Sequence, residues 1–531
     1  MLSREADVVV VGCGLAGLTA ALTLYQSGRA PLLICDPETP AATARSGGGF
    51  RCATGGYTAE RHFLDTLAAG GYLAQRSLAR AMAEDAPSAR QLLEAAGVRT
   101  RDTDTGFAVE GAGRPPGEVL TGCLRGALKG AGVRTLEALA WDVLVAPDGG
   151  SVTGLLAYDR SAASWVAITT PAVVLATGGA AGLYPYTSHS PSATGDGLAA
   201  AFRAGAVLAD MEFVQFWPVA AGEPDEAGGV WRCLEPRLLG GMRLISGERD
   251  VTEDAGLPAF LDGRIGPGEL ARRIYEQVMG QFAARQEEAT VVLTPGDPSG
   301  PGATAAGVIV PVPVRPVAHH TLGGVVCGDH GQTRVHGLVV AGEAVAGSHG
   351  ADRLRGSGLT EALVTGWRAG KYVAGLPGGT GVPPGDVERG ARERVRRVMA
   401  LLESTQPGAP RPQDAVRRIA LAMWRHAALV RTRESLDAAQ SELNKIKRAM
   451  PFSCETGTST EIWAALKALN VLLIAEAVIR SARYRKESRG LHFRADFPEQ
   501  DDAEWLRHVR VKLVSGEMSL DTSSGLELMD P

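Results

Sequence analysis

The 531-residue chain has no C-x-x-C pair; its seven cysteines (13, 35, 52, 123, 233, 327 and 454) are scattered. That spacing excludes the usual zinc, iron–sulfur and haem-attachment patterns, so no metal is expected, and an odd, scattered set suits reduced thiols. No uninterrupted apolar run reaches about 18 residues, so no transmembrane segment is expected. Arg4 and Glu5 precede the first strand, where a signal peptide would place apolar residues. A net charge of −5 leaves little excess of either sign, which argues against nucleic acid or an anionic membrane as partner. Aromatics are sparse at 5%, yet 45% hydrophobic content is ample for a buried core. The length exceeds one ordinary domain, and a cytoplasmic location is the expectation.

Glycine is what the chain has in quantity, and its first placement is informative. Asp7-Val8-Val9-Val10-Val11 reads as a strand and Gly12-Cys13-Gly14-Leu15-Ala16-Gly17 follows at once. Leu18 to Ser27 reads as a helix closed by Gly28, and Leu32-Leu33-Ile34-Cys35 is a second strand ending on Asp36. In such a unit Gly12 allows the tight turn, Gly14 lets the backbone approach a pyrophosphate, and Gly17 lets helix and strand pack closely. The helix N-terminus offers free N–H groups to phosphate, with Ala16 in its first turn, and Asp36 stands where a carboxylate accepts bonds from ribose hydroxyls. The pattern predicts dinucleotide binding.

Further on, Thr43 to Gly56 is too glycine-rich for regular structure. Residues 60 to 97 read as helical, and a third apolar strand, Ala172 to Ala176, runs into Thr177-Gly178-Gly179. Ser192-Ala193-Thr194-Gly195-Asp196-Gly197 precedes another helix. From Glu223 to Pro316 proline, glycine and charge cluster around short helices, which reads as an inserted lid. The nucleotide-type pattern resumes at Gly337 to Glu343, and beyond a Gly/Pro linker Val387 to Arg485 has almost continuous helical periodicity.

Five stretches together carry a resemblance. They are the fingerprint, Ala176-Thr177-Gly178-Gly179, Pro316 to Val325 with His319-His320-Thr321-Leu322-Gly323-Gly324, Gly342-Glu343 with His349-Gly350-Ala351-Asp352-Arg353, and Arg485 to Phe493 (R-K-E-S-R-G-L-H-F). About residues 5 to 500 resemble the fumarate reductase/succinate dehydrogenase flavoprotein family, most closely its L-aspartate oxidase branch. The resemblance implies an α/β fold: a Rossmann-like FAD-binding domain (1–220 and 317–378), an inserted α+β capping domain (221–316), a C-terminal helical domain (385–490) and a tail (491–531). It also implies FAD, held by Gly12, Gly14, Ala16, Gly17 and Asp36 at the adenosine diphosphate. Ser46, Gly48 and Ala176-Thr177-Gly178 would lie along the pyrophosphate and ribityl region. Asp196, Gly342 and Glu343 would serve the sugar or ribityl hydroxyls, and Ser357 and Leu359 the flavin ring. Respiratory members attach FAD through a histidine five residues before the glutamine of A-Q-G-G. Counting back from Thr54 gives Gly49, so non-covalent FAD is expected.

The same resemblance makes His319 and Arg353 the grip on a substrate carboxylate, with His320 as a second candidate base. A guanidinium suits the task because it binds both oxygens at once. Three positions depart from the family. Its Q-F-H-P is Gln215-Phe216-Trp217-Pro218 here, its T-E-x-x-R-G-E-G aligns with Glu235 to Gly241 without the hydroxyl or the arginine, and its proton-shuttling lid arginine aligns with Gly268. Arg355 is a cation where relatives are small. The expectation is an FAD-dependent oxidoreductase moving hydride from a carboxylate-bearing substrate, such as an amino acid, whose far end is not a free carboxylate. Trp217 and Arg355 would shape that end, and oxygen, a soluble acceptor or a separate partner would take the electrons. The alternatives are a flavin-binding scaffold that has lost catalysis and, less in keeping with Gly342-Glu343-Ala344, a flavin hydroxylase.

Overall fold

The computed structural model describes residues 1–222, 231–236, 239–246, 249–282, 291–295, 312–402, 409–454 and 457–526. Five parallel strands, in the order Leu338–Val340, Val173–Leu175, Val8–Val11, Pro31–Cys35 and Arg134–Glu137, form the central sheet. Val8–Val11 is buried at every position, because helices cover both faces of a parallel sheet and leave no side for polar residues. The helices Leu15–Gln26 and Ser357–Ala374 pack on one another beside this sheet. Glycine is required twice in the turn between the first strand and helix. Gly12 has φ +115°, and a Cβ there would meet Ala176 O at 2.1 Å; a Cβ on Gly17 would meet Gly12 O at 1.9 Å.

The cysteine reading is corrected here. Cys13 and Cys35 form a disulfide, with Cα atoms 5.5 Å apart. Val11 and Ile34 are register partners, so the residues that follow them emerge side by side at the end of the sheet. A sequence separation of 22 residues concealed that neighbourhood. The thiols therefore give no argument for a reducing compartment.

The lid is built on an antiparallel sheet in the order Arg232–Cys233, Val214–Ala221, Val312–Thr321, Val291–Pro295, Met242–Ser246, Arg249–Asp250. Its two long strands begin or end inside the segments assigned to the FAD-binding domain, so the lid is rooted in that domain. Arg237 and Leu238 lie outside the described residues. In the C-terminal domain the helices Pro412–Ala427, Arg433–Arg448 and Ser459–Tyr484 pack together, while Pro384–Ala400 lies instead against the strand Ser164–Thr169. Thr458 and Glu461 make a capping box at the start of Ser459–Tyr484. That helix is long and apolar enough to cross a membrane by composition, but 78% of its apolar window is buried within the protein.

The tail, in which the sequence shows no readable motif, carries regular structure. His508–Val514 and Glu517–Ser523 form a hairpin that joins Leu208–Ala209 and Gly324–Val325 in one small sheet.

The R-K-E-S-R-G-L-H stretch is structural. Arg485 is fully buried and donates to Glu212 Oε1 (2.7 Å), Glu487 Oε1 (2.9 Å) and the carbonyls of Trp505 and Arg507. Arg489 reaches Glu487, Asp502 and Gly71 O, and His492 Nδ1 lies 2.7 Å from Arg431. Leu491 N donates to Ala351 O at 3.0 Å, so the stretch holds the loop that carries Arg353. Arg485→Met leaves the buried Glu212 without its cation, while Glu487 keeps Arg489. A loss of about 3–5 kcal/mol is expected in urea-unfolding measurements; a loss below about 1 kcal/mol would contradict this account.

Candidate active site

A continuous cavity of about 1460 Å3 runs from the glycine turn to the root of the lid, larger than the ~300–1,000 Å3 usual for one small ligand. Its first end is the nucleotide fingerprint. The helix Leu15–Gln26 has no side chain capping its backbone in the usual way. Thr43 Oγ1 accepts from Leu15 N, which leaves the N–H of Ala16 on the cavity wall. Around Gly14 the nearest side-chain atoms to a Cβ are 3.6–3.7 Å off, and Thr177 Oγ1 is buried with no hydrogen-bond partner among the described residues. Unsatisfied donors beside an open glycine fit a phosphate-bearing cofactor. Gly12, Gly48, Ala176, Gly178 and Gly342 line the same wall.

Several expected cofactor residues have partners within the protein. Asp36 and Asp196 line the cavity, but their carboxylates are joined by Lys467 Nζ, 2.6 Å from each. Thr39 also donates to Asp36 and Asn470 to Asp196. Lys467 and Asn470 belong to the C-terminal helix, and no pattern in the sequence connects that helix with the nucleotide end. Ser46 turns its hydroxyl back to Thr43 O (2.7 Å). Glu343 accepts from the backbone and hydroxyl of Thr321, with His320 Nδ1 3.5 Å away. Ser357 is fully buried with its hydroxyl toward His62, and its neighbours Gly356 and Gly358, with Leu359, line the cavity instead.

The far end gathers His319, His320, Arg353, Trp217 and Arg355, as the resemblance implies. Arg353 is half-buried, and its guanidinium bonds to one neutral side chain, Gln215 Oε1, at 2.8 and 3.2 Å. No carboxylate pairs with it among the described residues. His319 Nδ1 is 2.8 Å from Ser188 Oγ, and its ring lies 5.4 Å from Trp217 and 5.7 Å from His189. Burial, with the Arg353 charge beside it, holds the His319 imidazole well below its usual range. His319 therefore meets an anion as a neutral hydrogen-bonding ring; the grip is carried by Arg353. Trp217 is buried, donates its indole N–H to Leu234 O (3.0 Å), and lies 5.9 Å from the Arg355 guanidinium. Arg355 pairs with Glu235, the acid retained from the lid motif. A Cβ at Gly268 would meet Leu491 Cδ2 at 2.6 Å, so that position is filled from the C-terminal stretch. Sequence reading missed Ser188, His189, Trp231 and Cys233; only Gln215 stood in a motif already singled out.

Two titrating groups matter. Cys233 Sγ is 3.7 Å from His319 Nδ1, and burial pushes its thiol up to about 12, so it is no nucleophile at neutral pH. Asp352, half-buried, is pushed up to about 6 by desolvation, against the pull of the Arg353 backbone and charge. The folded carboxyl keeps its proton up to about pH 6 whereas a free one releases it near 3.8. Its stabilising contribution is therefore present in acid and lost as pH rises through about 6. Above that pH its charge competes for Arg353. The Kd of a bound carboxylate, followed by flavin difference spectra, is expected to rise through pH 6 and to lose that rise in Asp352→Asn.

A parallel-sheet nucleotide domain, a lid rooted in it and a half-buried guanidinium on the cavity wall define a lidded flavin oxidoreductase. The FAD binding domain family matches residues 7–232 and 242–359, and Fumarate reductase flavoprotein C-term matches 416–524. L-aspartate oxidase of Streptomyces coelicolor is 33% identical over 96% of this chain and 91% of its own. A fumarate reductase (CoM/CoB) of Methanothermobacter marburgensis contributes a second relative, one of its subunits, 30% identical over 95% of this chain and 96% of its own. A mutant form of E. coli quinol fumarate reductase FrdA superposes with a TM-score of 0.84 at 26% identity, over 100% and 98% of the two chains. The chain belongs to the fumarate reductase/L-aspartate oxidase flavoprotein family, and its cofactor is FAD.

No histidine occurs between Asp36 and Arg61, the stretch that runs along the cofactor wall. Acid precipitation of the holoprotein is expected to release its flavin quantitatively into the supernatant; yellow colour retained by the washed pellet would contradict this.

Proposed function

We propose that the protein oxidises a monocarboxylate bearing an amine or hydroxyl, an amino acid or a close derivative, whose distal end is not a free carboxylate. The carrying observation is Arg353: a half-buried guanidinium on the cavity wall, anchored by the neutral Gln215 and with no acid paired to it among the described residues. Desolvating a cation is costly unless an anion joins it, so an anionic substrate completes the site. Gln215 fixes the plane of the guanidinium and also donates to Asp352 (3.2 Å), which keeps the carboxylate-binding edge turned to the cavity. At the opposite end Trp217 and the Arg355–Glu235 pair stand where relatives carry a histidine and small residues. That end offers an aromatic face and a self-neutralised pair, which suits a neutral or apolar group better than a second carboxylate.

FAD, when bound, supplies the hydride-accepting centre. The residues here orient the substrate and handle its proton. Oxidation at an amine or alcohol carbon releases the proton from nitrogen or oxygen, so a proton-donating arginine at Gly268 is not required. His319, on the cavity wall with Nδ1 held by Ser188, is the ring placed to receive it. Several relatives are named as subunits, so a partner protein joins oxygen and soluble acceptors among the electron acceptors to be tested. We place the protein in the cytoplasm.

Anaerobic stopped-flow mixing of the holoprotein with amino and hydroxy acids tests the proposal. Bleaching by monocarboxylates, and slower or no bleaching by L-aspartate and succinate, is expected. Fastest reduction by L-aspartate overturns the distal-end assignment, and no bleaching by any compound favours a non-catalytic flavin-binding scaffold.

A further inference from the structure

Behind the wall that carries Arg353, three side chains converge that no step above uses together. They come from three segments: His320 from the strand Val312–Thr321, His349 from the loop before Arg353, and Glu361 from the helix Ser357–Ala374. Glu361 Oε2 lies 3.1 Å from His349 Nε2 and 3.6 Å from His320 Nε2, and one ligand atom from each residue falls within 4.8 Å of the others. All three residues are buried. Among the described residues, His320 Nε2, both ring nitrogens of His349 and Glu361 Oε2 make no hydrogen bond of acceptable geometry. Buried polar atoms are rarely left so, and four in one cluster call for an occupant. Small rotations could let Glu361 accept from both rings, but His349 Nδ1 would still lack a partner, and the 3.6 Å gap to His320 Nε2 is long for a hydrogen bond.

We propose that His320, His349 and Glu361 bind a divalent transition-metal cation of the zinc class. Two imidazole nitrogens and one carboxylate oxygen are a donor set that suits zinc and its neighbours and not magnesium or calcium, which prefer oxygen ligands throughout. The separations match the edges of a coordination polyhedron with bonds of about 2.0–2.2 Å after small side-chain rotations. Electrostatics permit it: Arg353 opposes a cation here, but the buried carboxylates of Glu361 and Glu343 outweigh its single charge. A fourth position is left for water. Such an ion joins three segments that surround Arg353 and fixes the His320 ring against the cavity. It is a positioning site, and it stands whether or not the substrate assignment is correct.

The test uses the FAD-loaded, full-length protein, stripped with EDTA and then exposed to zinc chloride alone. Zinc retained after gel filtration is measured by elemental analysis, with flavin absorbance reporting folded protein in the same fractions. About one equivalent per chain is expected, with a rise of at least about 2 °C in the unfolding temperature. Glu361→Gln and, separately, His349→Gln should lower retained zinc at least about tenfold while flavin content persists. Anomalous scattering at the zinc edge should place the ion between the three side chains. Retention below about 0.1 equivalent by the native protein overturns the proposal. So does equal retention by both variants, or an anomalous peak elsewhere. Should a variant lose its flavin, the anomalous peak of the native protein decides alone.

Discussion

Replacing Arg353 with methionine is expected to lower kcat/KM for a carboxylate substrate by about a thousandfold, ~4 kcal/mol, while the bound flavin spectrum stays close to native. The magnitude follows from preorganisation. In open water a guanidinium–carboxylate contact contributes little, but here the guanidinium is half-buried on the cavity wall and Gln215 already fixes its geometry. The methionine side chain fills the space, so the loss reports the charge and not a void. Arg353→Lys should recover at most a small part, because an ammonium cannot keep the Gln215 contact and meet both carboxylate oxygens as well. Single-turnover flavin reduction separates binding from chemistry. A loss of less than about tenfold would mean that the carboxylate sits elsewhere in the cavity.

The second large effect is expected at Lys467. Its ammonium is buried and 2.6 Å from both Asp36 and Asp196. Burial alone works to lower its pKa, yet the two carboxylates raise it, so it stays charged. Lys467→Met leaves two partly buried carboxylates facing each other without a cation, at a cost of about 3–5 kcal/mol in stability. Because both acids line the nucleotide end of the cavity, their repulsion should also weaken FAD retention, read as flavin released on dilution. Adding Asp196→Asn removes one of the two charges and should recover part of both losses. Strict additivity of the two substitutions would deny the coupling.

These residues also show what the sequence made legible. Gly12 and Gly17 were readable because their roles are local: a turn with positive φ and a helix pressed on a strand a few residues away. Arg353 and His319 were readable only through flanking motifs that mark a family. Lys467 was not, since a lysine within an apolar helix carries no local sign that it meets Asp36 more than 400 residues earlier. The Cys13–Cys35 pair was missed for the same reason, because parallel pairing joins residues that spacing separates. The R-K-E-S-R-G-L-H stretch was the strongest marker of kinship and lies outside the cavity wall. Its buried ion pairs tolerate little change in geometry, which explains its specificity without any contact to substrate.

The packing of Leu491 against Ala351 and of Lys467 between two N-terminal acids has a consequence for the order of synthesis. The glycine turn leaves the ribosome first, but its acids lack their cation until residue 467 has emerged, and the Arg353 loop lacks its prop until residue 491. Ribosome-released fragments ending before about residue 460 should therefore hold FAD poorly although they contain the whole fingerprint. Loading of the cofactor then becomes a late checkpoint, reached by finished chains and not by truncated ones.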